Sequence, residues 1–488
     1  MSLSLALSNA LTGLRANSTQ ADIIANNVAN AQTEGYGRRN VALSPAAIGG
    51  AGAGVRVDGI VRAASPVTTE ARRIADAASG GADVLSTGLS RLADAVGEPG
   101  VPGSLASAGD RLDTALSAAA DTPESTARLA DVSAAANAYA SSINRVASEA
   151  AAVRTQADRS IALQVDTVNN ALNAIKTLNG EITQRTLAGA DTSALNDQRG
   201  LLIDQVSSII PVKTIRRDND AVALFTPKGG QLLDGSVFPL GFEPARIVTP
   251  EQTVGNGALS GITLAGRDVP TGVGDDLGFL DGGTLGATFA LRDVTVPEFT
   301  TSLDGMAADL ITRVQSLPAD TTLAPTDPGL FTDAGLAFDP VNTVGISTRI
   351  AVSAQIDQAQ GGALTNLRDG LNAVAVGDAG NASILRGLQD ALSQPLAPLA
   401  GSGLTGQRGS AGFAAEISAT LLTSRSRAEE DAVFRAARAD VLSEAETADT
   451  AVDTDQELSR LLVVEQSYAA NARVIEVIDS LLARLLQI

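Results

Sequence analysis

The sequence contains no His, no Cys and no Trp, and only 3% of its 488 residues are aromatic. Without His there is no Ser-His-Asp triad and no imidazole metal ligand. Without Cys there is no thiol nucleophile, zinc finger, iron-sulfur ligand or disulfide. Any metal would have to be held by oxygens alone. Lysine is nearly missing as well: of 35 basic residues only Lys176, Lys213 and Lys228 are Lys, the rest being scattered Arg. Against 55 acidic residues this leaves a net charge of -20, which repels phosphate backbones, so no nucleic-acid partner is expected. No run approaches the ~20 apolar residues of a membrane span, so no membrane insertion is expected. The first charge is Arg15, and Ser2, Ser4, Ser8, Asn9 and Thr12 interrupt the apolar positions before it. That is not the basic head and apolar middle of a signal peptide, so a soluble chain is expected, and any export would proceed without a cleaved leader.

What is present is alanine-rich apolar sequence. Hydrophobic residues make up 44%, which with so few aromatics favours long, thinly packed helices, and the length allows roughly three domains. At the N-terminus Leu3, Leu7, Ala10, Leu14, Ala21, Ile24 and Val28 lie on one seam, with Asn17 its polar exception, the pattern of an amphipathic helix of about four heptads. At the C-terminus Leu461, Val464, Tyr468, Ile475, Ile478, Leu482 and Leu485 repeat the pattern, broken by Asn471. Neither stripe can be buried alone, so the two helices are expected to pair with each other or with a neighbouring subunit.

Between them, Gly35 to Pro66 reads as extended chain with a short strand at Val55, Val57, Gly59 and Val61, and helical pattern resumes near Thr68. Ser104 to Ala120 is a further helix, and Thr122 and Pro123 read as the cap and first position of the next. In that helix Leu129, Val132, Ala136, Tyr139, Ile143, Val146, Ala150, Val153 and Ala157 keep a strict heptad. Ile161, Val165, Val168, Leu172, Ile175 and Ile182 resume it shifted by four, a stutter. If continuous to Leu187, the rod would be about 95 Å long at ~1.5 Å per residue. After Pro211 come short β-prone runs, Val212 to Ile215, Ala221 to Phe225 and Gln231 to Leu233, and most of the ten Phe (Phe225, Phe238, Phe242, Phe279, Phe289, Phe299, Phe331) follow, suggesting a β domain with an aromatic core. Helix returns at Thr284 to Leu317, Gly345 to Ile356 alternates like a strand, and Phe413 to Glu446 is helical again. The sum is a mainly α, elongated fold: terminal helices paired as a coiled-coil domain, a long-helix bundle, and a small inserted β domain.

Candidate chemistry is thin. Gly401-Ser402-Gly403-Leu404-Thr405-Gly406 has the spacing of a dinucleotide-binding turn, but Gln394-Pro395-Leu396-Ala397-Pro398 precedes it where a strand is needed, so it reads as a loop. Asp218, Asp220, Asp275, Asp276 and Asp281 do not have the spacing of a calcium loop and read as solvated turns. Nothing places two carboxylates across a cleft as a glycosidase requires. No catalytic residue, metal or cofactor is expected.

The segment Ala25-Asn26-Asn27-Val28-Ala29-Asn30-Ala31-Gln32-Thr33-Glu34-Gly35-Tyr36-Gly37-Arg38 resembles the N-terminal signature of bacterial flagellar rod, hook and hook-associated proteins. Glu465-Gln466-Ser467-Tyr468-Ala469-Ala470-Asn471-Ala472-Arg473 resembles their terminal helix. Asn196 to Leu202, Gly229 to Gly235, and Gly282 to Ala287 with Leu291-Arg292-Asp293 resemble internal stretches of the hook-associated branch, respectively closing the long helix, forming the first β hairpin and re-entering the helical domain.

The resemblance implies a structural axial subunit, not an enzyme. Such a subunit is exported unfolded through the flagellar type III apparatus and polymerises at the distal end of the hook, where it joins the filament. Implied partners are other copies of itself, the hook protein, the next hook-associated protein, and an export chaperone at the C-terminal helix. Hook-associated protein 3 or a flagellin-like subunit, and a secreted calcium-dependent adhesin, are the alternatives. The expected domains are 1-34 with 455-488, 35-211 with 284-454, and an outer 212-283. The expected assembly residues are Leu3, Leu7, Leu14, Ile24, Asn27, Val28, Asn30, Tyr36, Leu461, Val464, Tyr468, Asn471, Ile475, Ile478, Leu482 and Leu485, with Asn27, Asn30 and Tyr36 at the joint between the two inner layers.

Overall fold

The structure, a computed structural model, describes residues 3–33, 35–48, 51–269, 278, 282–315 and 317–485. In chain order they form α1 (Leu3–Ala29), β1 (Arg39–Ile48), β2 (Ala51–Arg62), α2 (Pro66–Val96), α3 (Leu105–Asp121), α4 (Thr126–Leu187), α5 (Ser193–Ile209), β3 (Lys213–Arg216), β4 (Val222–Phe225), β5 (Gln231–Asp234), β6 (Ser236–Val237), β7 (Leu240–Gly241), β8 (Thr263–Leu264) and β9 (Arg267–Asp268). Then follow α6 (Gly283–Ala290), a π turn (Leu291–Thr295), α7 (Val296–Gln315), β10 (Phe331–Asp333), α8 (Ile346–Arg349), β11 (Ile350–Val352), α9 (Asn366–Asp369), α10 (Ser383–Ser393), α11 (Ser410–Thr450) and α12 (Thr454–Leu485). The fold is mainly α.

Helix α4 runs unbroken for 62 residues. All fifteen apolar positions from Leu129 to Ile182 read from its heptads and stutter are buried. Its start differs from the expectation. Thr122 is the C-cap of α3, with its N–H on Ala119 O, and the Ser125 hydroxyl accepts the Arg128 N–H as α4 begins. A Pro at 123 fits equally well in a turn between helices, since its missing N–H costs nothing in either place.

The chain forms two compact units, Met1–Ser79 with Thr167–Pro239 and Arg435–Ile488, and Gly80–Asp166 with Leu240–Phe434. The first contains α1, the antiparallel β1–β2 hairpin, α5, the antiparallel sheet β3-β4-β5-β6 and α12. The hairpin lies beside α1, and the Thr12 hydroxyl accepts the Val55 N–H at 3.2 Å. Strand β1 contains Pro45, a residue that argues against a strand interior. It is tolerated because the register shifts between Pro45 and Ala47.

The second unit is built on one apolar core from α3, the first part of α4, α7, α10 and the start of α11, with Tyr139 and Phe331 packed edge to face at 6.4 Å. Burial pushes the Tyr139 hydroxyl up to about 12. In the same unit Arg292 is wholly buried with Asp158. Arg292 donates to Asp158 Oδ1 at 2.6 Å, to Asp293 Oδ2 at 2.8 Å and to Ser260 O at 3.0 Å, and its guanidinium lies against Phe289 and Phe242.

Two expectations are corrected here. The strand-rich stretch 212–283 is divided between the units: the sheet β3–β6 belongs to the first, and β7-β8-β9 to the second. The alternation from Gly345 to Ile356 makes only the three-residue strand β11. Before it, Gly345 at φ 75 starts the single turn of α8, because the buried Asp304 carboxylate accepts the Gly345 and Ser347 N–H groups and holds that turn.

Candidate functional site

Helices α1 and α12 pack antiparallel. Two contacts set the register: Asn27 meets Glu457 near one end, and Gly13 faces Asn471 further along. A Cβ on Gly13 would lie 2.8 Å from Asn471 Nδ2, so the helices approach closely because that position carries no side chain. Of the expected seam, Ile24, Asn27, Val464 and Ile478 are buried; Leu3, Leu7, Leu14, Asn30, Tyr36, Leu461, Asn471 and Ile475 are half-buried.

Val28 is instead exposed at 36%, Tyr468 at 49% and Leu482 at 38%, and the side chain of Leu485 lies outside the described residues. On α1 the buried set is Ala10, Ala16, Asn17, Ile23, Ile24 and Asn27; at the end of α1 it is Asn27 that turns inward to bond Arg39 O and Glu457 Oε2, which leaves its neighbour Val28 outside. Buried Asn17 Nδ2 and Asn9 Oδ1 have no partner.

A second apolar face of α12 was not foreseen. Val463, Val474, Val477 and Leu481 are exposed large hydrophobics spaced as one helical stripe with Ala470 among them, and Leu462 is exposed beside it. A signal existed in the sequence, since Val463, Val474, Val477 and Leu481 recur three, four or seven apart once Ala470 is counted.

At the joint, α1 ends because its last polar residues take over the backbone groups. Asn30 Nδ2 donates to Asn26 O at 2.9 Å. Gly35 then turns the chain at φ 75, where a Cβ would also sit 2.8 Å from Leu201; Glu34 lies outside the described residues. Asn27, fully buried, uses all four of its hydrogen-bonding positions. Nδ2 donates to Arg39 O at 2.9 Å and Glu457 Oε2 at 3.0 Å. Oδ1 accepts from Tyr36 Oη at 2.9 Å and Arg39 N at 3.0 Å. Burial pushes the Tyr36 hydroxyl above its ordinary range, opposed by the Arg39 guanidinium 4.7 Å from the ring centre. Asn30 serves the helix end only; its Oδ1 accepts the Thr33 hydroxyl at 3.3 Å.

Asp197 is the residue the sequence reading passed over. Its motif does not close the long helix but lies in α5, a separate element. Asp197 Oδ2 accepts Arg39 Nη2 at 2.9 Å and Oδ1 accepts Arg62 Nε at 2.5 Å. Arg39 and Arg62 are cross-strand partners in the hairpin. Two like charges directly opposite are destabilising unless an anion lies between them, so the hairpin needs this carboxylate. Nearby, Arg72 bonds Asp76 at 2.6 Å, Asp204 at 2.8 Å and Glu446, while Arg73 takes Asp204 at 2.6 Å. Burial raises the Asp76 carboxyl against the pull of Arg72. Arg72, Arg73, Asp197, Asp204 and Glu446 line a cavity of about 420 Å³ together with Tyr36 and Arg62.

Arg199, also in the motif, bonds Asn179 Oδ1, Asp220 O and Asn196 Oδ1; burial lowers it to about 10. Asp220 is therefore part of a packed corner, not a free turn. Asp275, Asp276 and Asp281 lie outside the described residues. Gly401, Gly403 and Gly406 fall in irregular chain at positive φ, closed by a bridge between Leu396 and Arg408. Each carboxylate named at the joint is engaged by a guanidinium or amide, so what the arrangement does is hold geometry.

Comparison with known proteins agrees at both ends and in the middle. Residues 7–36 match the family described as flagella basal body rod protein, 89–323 match the flagellar hook-associated protein FlgK helical domain, and 449–488 match the flagellar basal body rod FlgEFG protein C-terminal family. The chain is similar to flagellar hook-associated protein 1 of Bacillus subtilis, 26% identical over 330 residues, covering 62% of this chain and 64% of that one. It is also similar to flagellar hook-associated protein 1 of Salmonella typhimurium, 25% identical over 291 residues, covering 54% of this chain and 52% of that one. A solved structure of the flagellar hook junction protein FlgK from Burkholderia pseudomallei aligns with TM-score 0.45 and 19% identity over 55% of this chain and 47% of that one. The chain thus spans between about half and under two thirds of the length of these curated relatives.

Proposed function

Because residues 89–323 match the flagellar hook-associated protein FlgK helical domain and both ends match flagellar rod families, we propose that the chain is a structural protein of the flagellum, an axial subunit that polymerises at the distal end of the hook and joins hook to filament. The observation that carries this reading is the second apolar stripe of α12. One face of the helix is committed to α1, while Leu462, Val463, Val474, Val477 and Leu481 stand exposed. Such a face in water favours burial against another surface. In the assembled tube it would be covered by neighbouring copies, with the hook protein and the next hook-associated protein above and below.

During export through the type III apparatus, a chaperone would cover the same C-terminal helix. The joint around Asn27, Tyr36 and Asp197 would then fix the angle at which the terminal pair leaves the hairpin and α5. Val474→Asp with Val477→Asp tests this, since both positions are exposed and the monomer's circular dichroism should be unchanged. The expected result is hooks without filaments and filament protein lost to the medium. Normal filament attachment by that variant would overturn the proposal.

A further inference from the structure

The terminal pair holds two buried amide groups that its register leaves unused. Asn17 is 9% exposed and its Nδ2 has no partner; Asn9 Oδ1 is buried without one as well. A polar atom buried unpaired costs more than an ordinary hydrogen bond gains, so one that persists needs a reason. Asn9, Gly13 and Asn17 follow one another at four-residue steps, one turn apart along one face of α1. Asn471 fills the notch at the middle position, its Nδ2 and Oδ1 at 2.8 and 3.1 Å from where a Gly13 Cβ would lie. Its amide, which can both donate and accept, therefore stands one turn from an unused acceptor and one turn from an unused donor.

The register lets Asn471 reach one of them. Asn27 lies opposite Glu457 and Gly13 opposite Asn471, the same distance apart in each helix, so the two helices stay in step between these contacts. Sliding α12 four residues towards the joint, about 6 Å, brings Asn471 level with Asn17, Val464 with Ile24 and Ile478 with Ala10, and Ile475 takes over the Gly13 notch. Apolar residues stay opposite apolar ones. The opposite slide sets Asn471 level with Asn9, but it sets Leu461 and Tyr468 level with Thr19 and Thr12, so the favoured direction is towards the joint. The advance costs the Asn27–Glu457 bond, while Asn27 keeps Tyr36 and Arg39. Room for it exists at the joint, where the linker residues Ala451 and Val452 line the cavity of about 420 Å³. Packed helices move by whole turns because interdigitated side chains do not slide continuously.

Resting on the axial-subunit reading above, we propose that the terminal pair is a two-position ratchet: α12 stands at Gly13 in the free chain and advances one turn, to Asn17, on assembly. In the free chain the Asn27–Glu457 bond holds the first position, and the unused Asn17 amide makes the second available. A neighbouring subunit shifts the balance only by binding the advanced position better. It does so by covering Val474, Val477 and Leu481, which are exposed in the first position, at a place one turn further along α1.

A chain without Cys makes the test clean. Gln20 and Val464 line one groove and are level in the first position, so the full chain carrying Gln20→Cys and Val464→Cys is locked there by oxidation. Ala10 and Ile478 become level only after the advance. Before it they are about 6 Å out of step across helices ~8–10 Å apart, beyond the reach of a disulfide. Added to hooks that lack this protein, the locked chain should incorporate at least tenfold less than the same chain after reduction. Ala10→Cys with Ile478→Cys should link at least tenfold more at hook ends than in the free chain. Equal incorporation of locked and reduced chain, or equal linking in both settings, overturns the ratchet while leaving the axial reading intact; absence of the unaltered chain from hook ends overturns both. As a second variant, Asn17→Leu should keep the monomer's circular dichroism and lower the link between positions 10 and 478 at hook ends at least tenfold. An unchanged link there means that Asn17 only holds a buried water, and overturns the ratchet.

Discussion

Exchanging one atom at the joint should convert its best-satisfied residue into its worst. Asn27→Asp keeps Oδ1, which accepts from Tyr36 and Arg39 N, but replaces the NH₂ that donates to Arg39 O and Glu457 Oε2. A second carboxylate oxygen then sits about 3 Å from that of Glu457, which is 1% exposed. Two like charges ~4 Å apart at an effective dielectric near 20 repel by about 4 kcal/mol. Two lost donor bonds add about 1 kcal/mol each, and Arg460 on the other Glu457 oxygen at 2.8 Å offsets part of the repulsion. The expected cost at pH 7.5 is about 3–5 kcal/mol.

It should depend on pH in one direction. A carboxyl pair that cannot both ionise has a folded pKa raised above the unfolded value near ~4. The folded state therefore binds the extra proton: the repulsion is absent below about pH 4 and grows as pH rises through the raised folded pKa. Hydrogen exchange of amides in 24–39 and 454–461 reads this locally. Each 1.4 kcal/mol is tenfold, so protection at pH 7.5 should fall by about 100-fold or more, and by about tenfold at pH 4 once intrinsic rates are removed. Equal protection in variant and parent at pH 7.5, or the same loss at both pH values, would refute the argument.

In the second unit, Arg292→Leu strands the fully buried Asp158 carboxylate, for an expected loss of about 3–5 kcal/mol in urea unfolding. The double change Arg292→Leu with Asp158→Leu should cost clearly less; equal costs would mean the ion pair is not what holds that core. In the first unit, Gly13→Leu pushes a side chain into Asn471 and should make the terminal helices protease-sensitive, with partial recovery when Asn471→Ala is added. Unchanged resistance to protease in the single variant would show that the close approach at Gly13 does not matter.

How far the sequence reaches depends on whether burial is decided locally. Helix α4 was readable position by position because its apolar residues are two-state, buried or not, along one long face. The terminal seams were readable in outline but not at their ends, since Asn27 is buried in place of Val28 by bonds to Arg39 and Glu457, partners that only the folded joint brings there. Strand β1 was hidden by Pro45, which reads as a strand breaker until the bulge beside it is known. Asp197 lay in plain view within a quoted motif. Its role depends on Arg39 and Arg62 being register partners, which only the folded hairpin reveals. The loop near Gly345 alternates like a strand for an unrelated reason, the buried carboxylate of Asp304.

The pairing of α1 with α12 also has a temporal side. The Asn27–Glu457 bond spans 430 positions, whereas Thr12 reaches Val55 across 43 and Asn27 reaches Arg39 across 12. Closing the tenfold longer loop costs only about 2 kcal/mol more in chain entropy, but such non-local contacts form late. Helix α1 can therefore settle on its own hairpin while the rest of the chain is still finding its place. The β1–β2 ribbon then acts as a template that keeps one face of α1 ordered and the other vacant until α12 arrives.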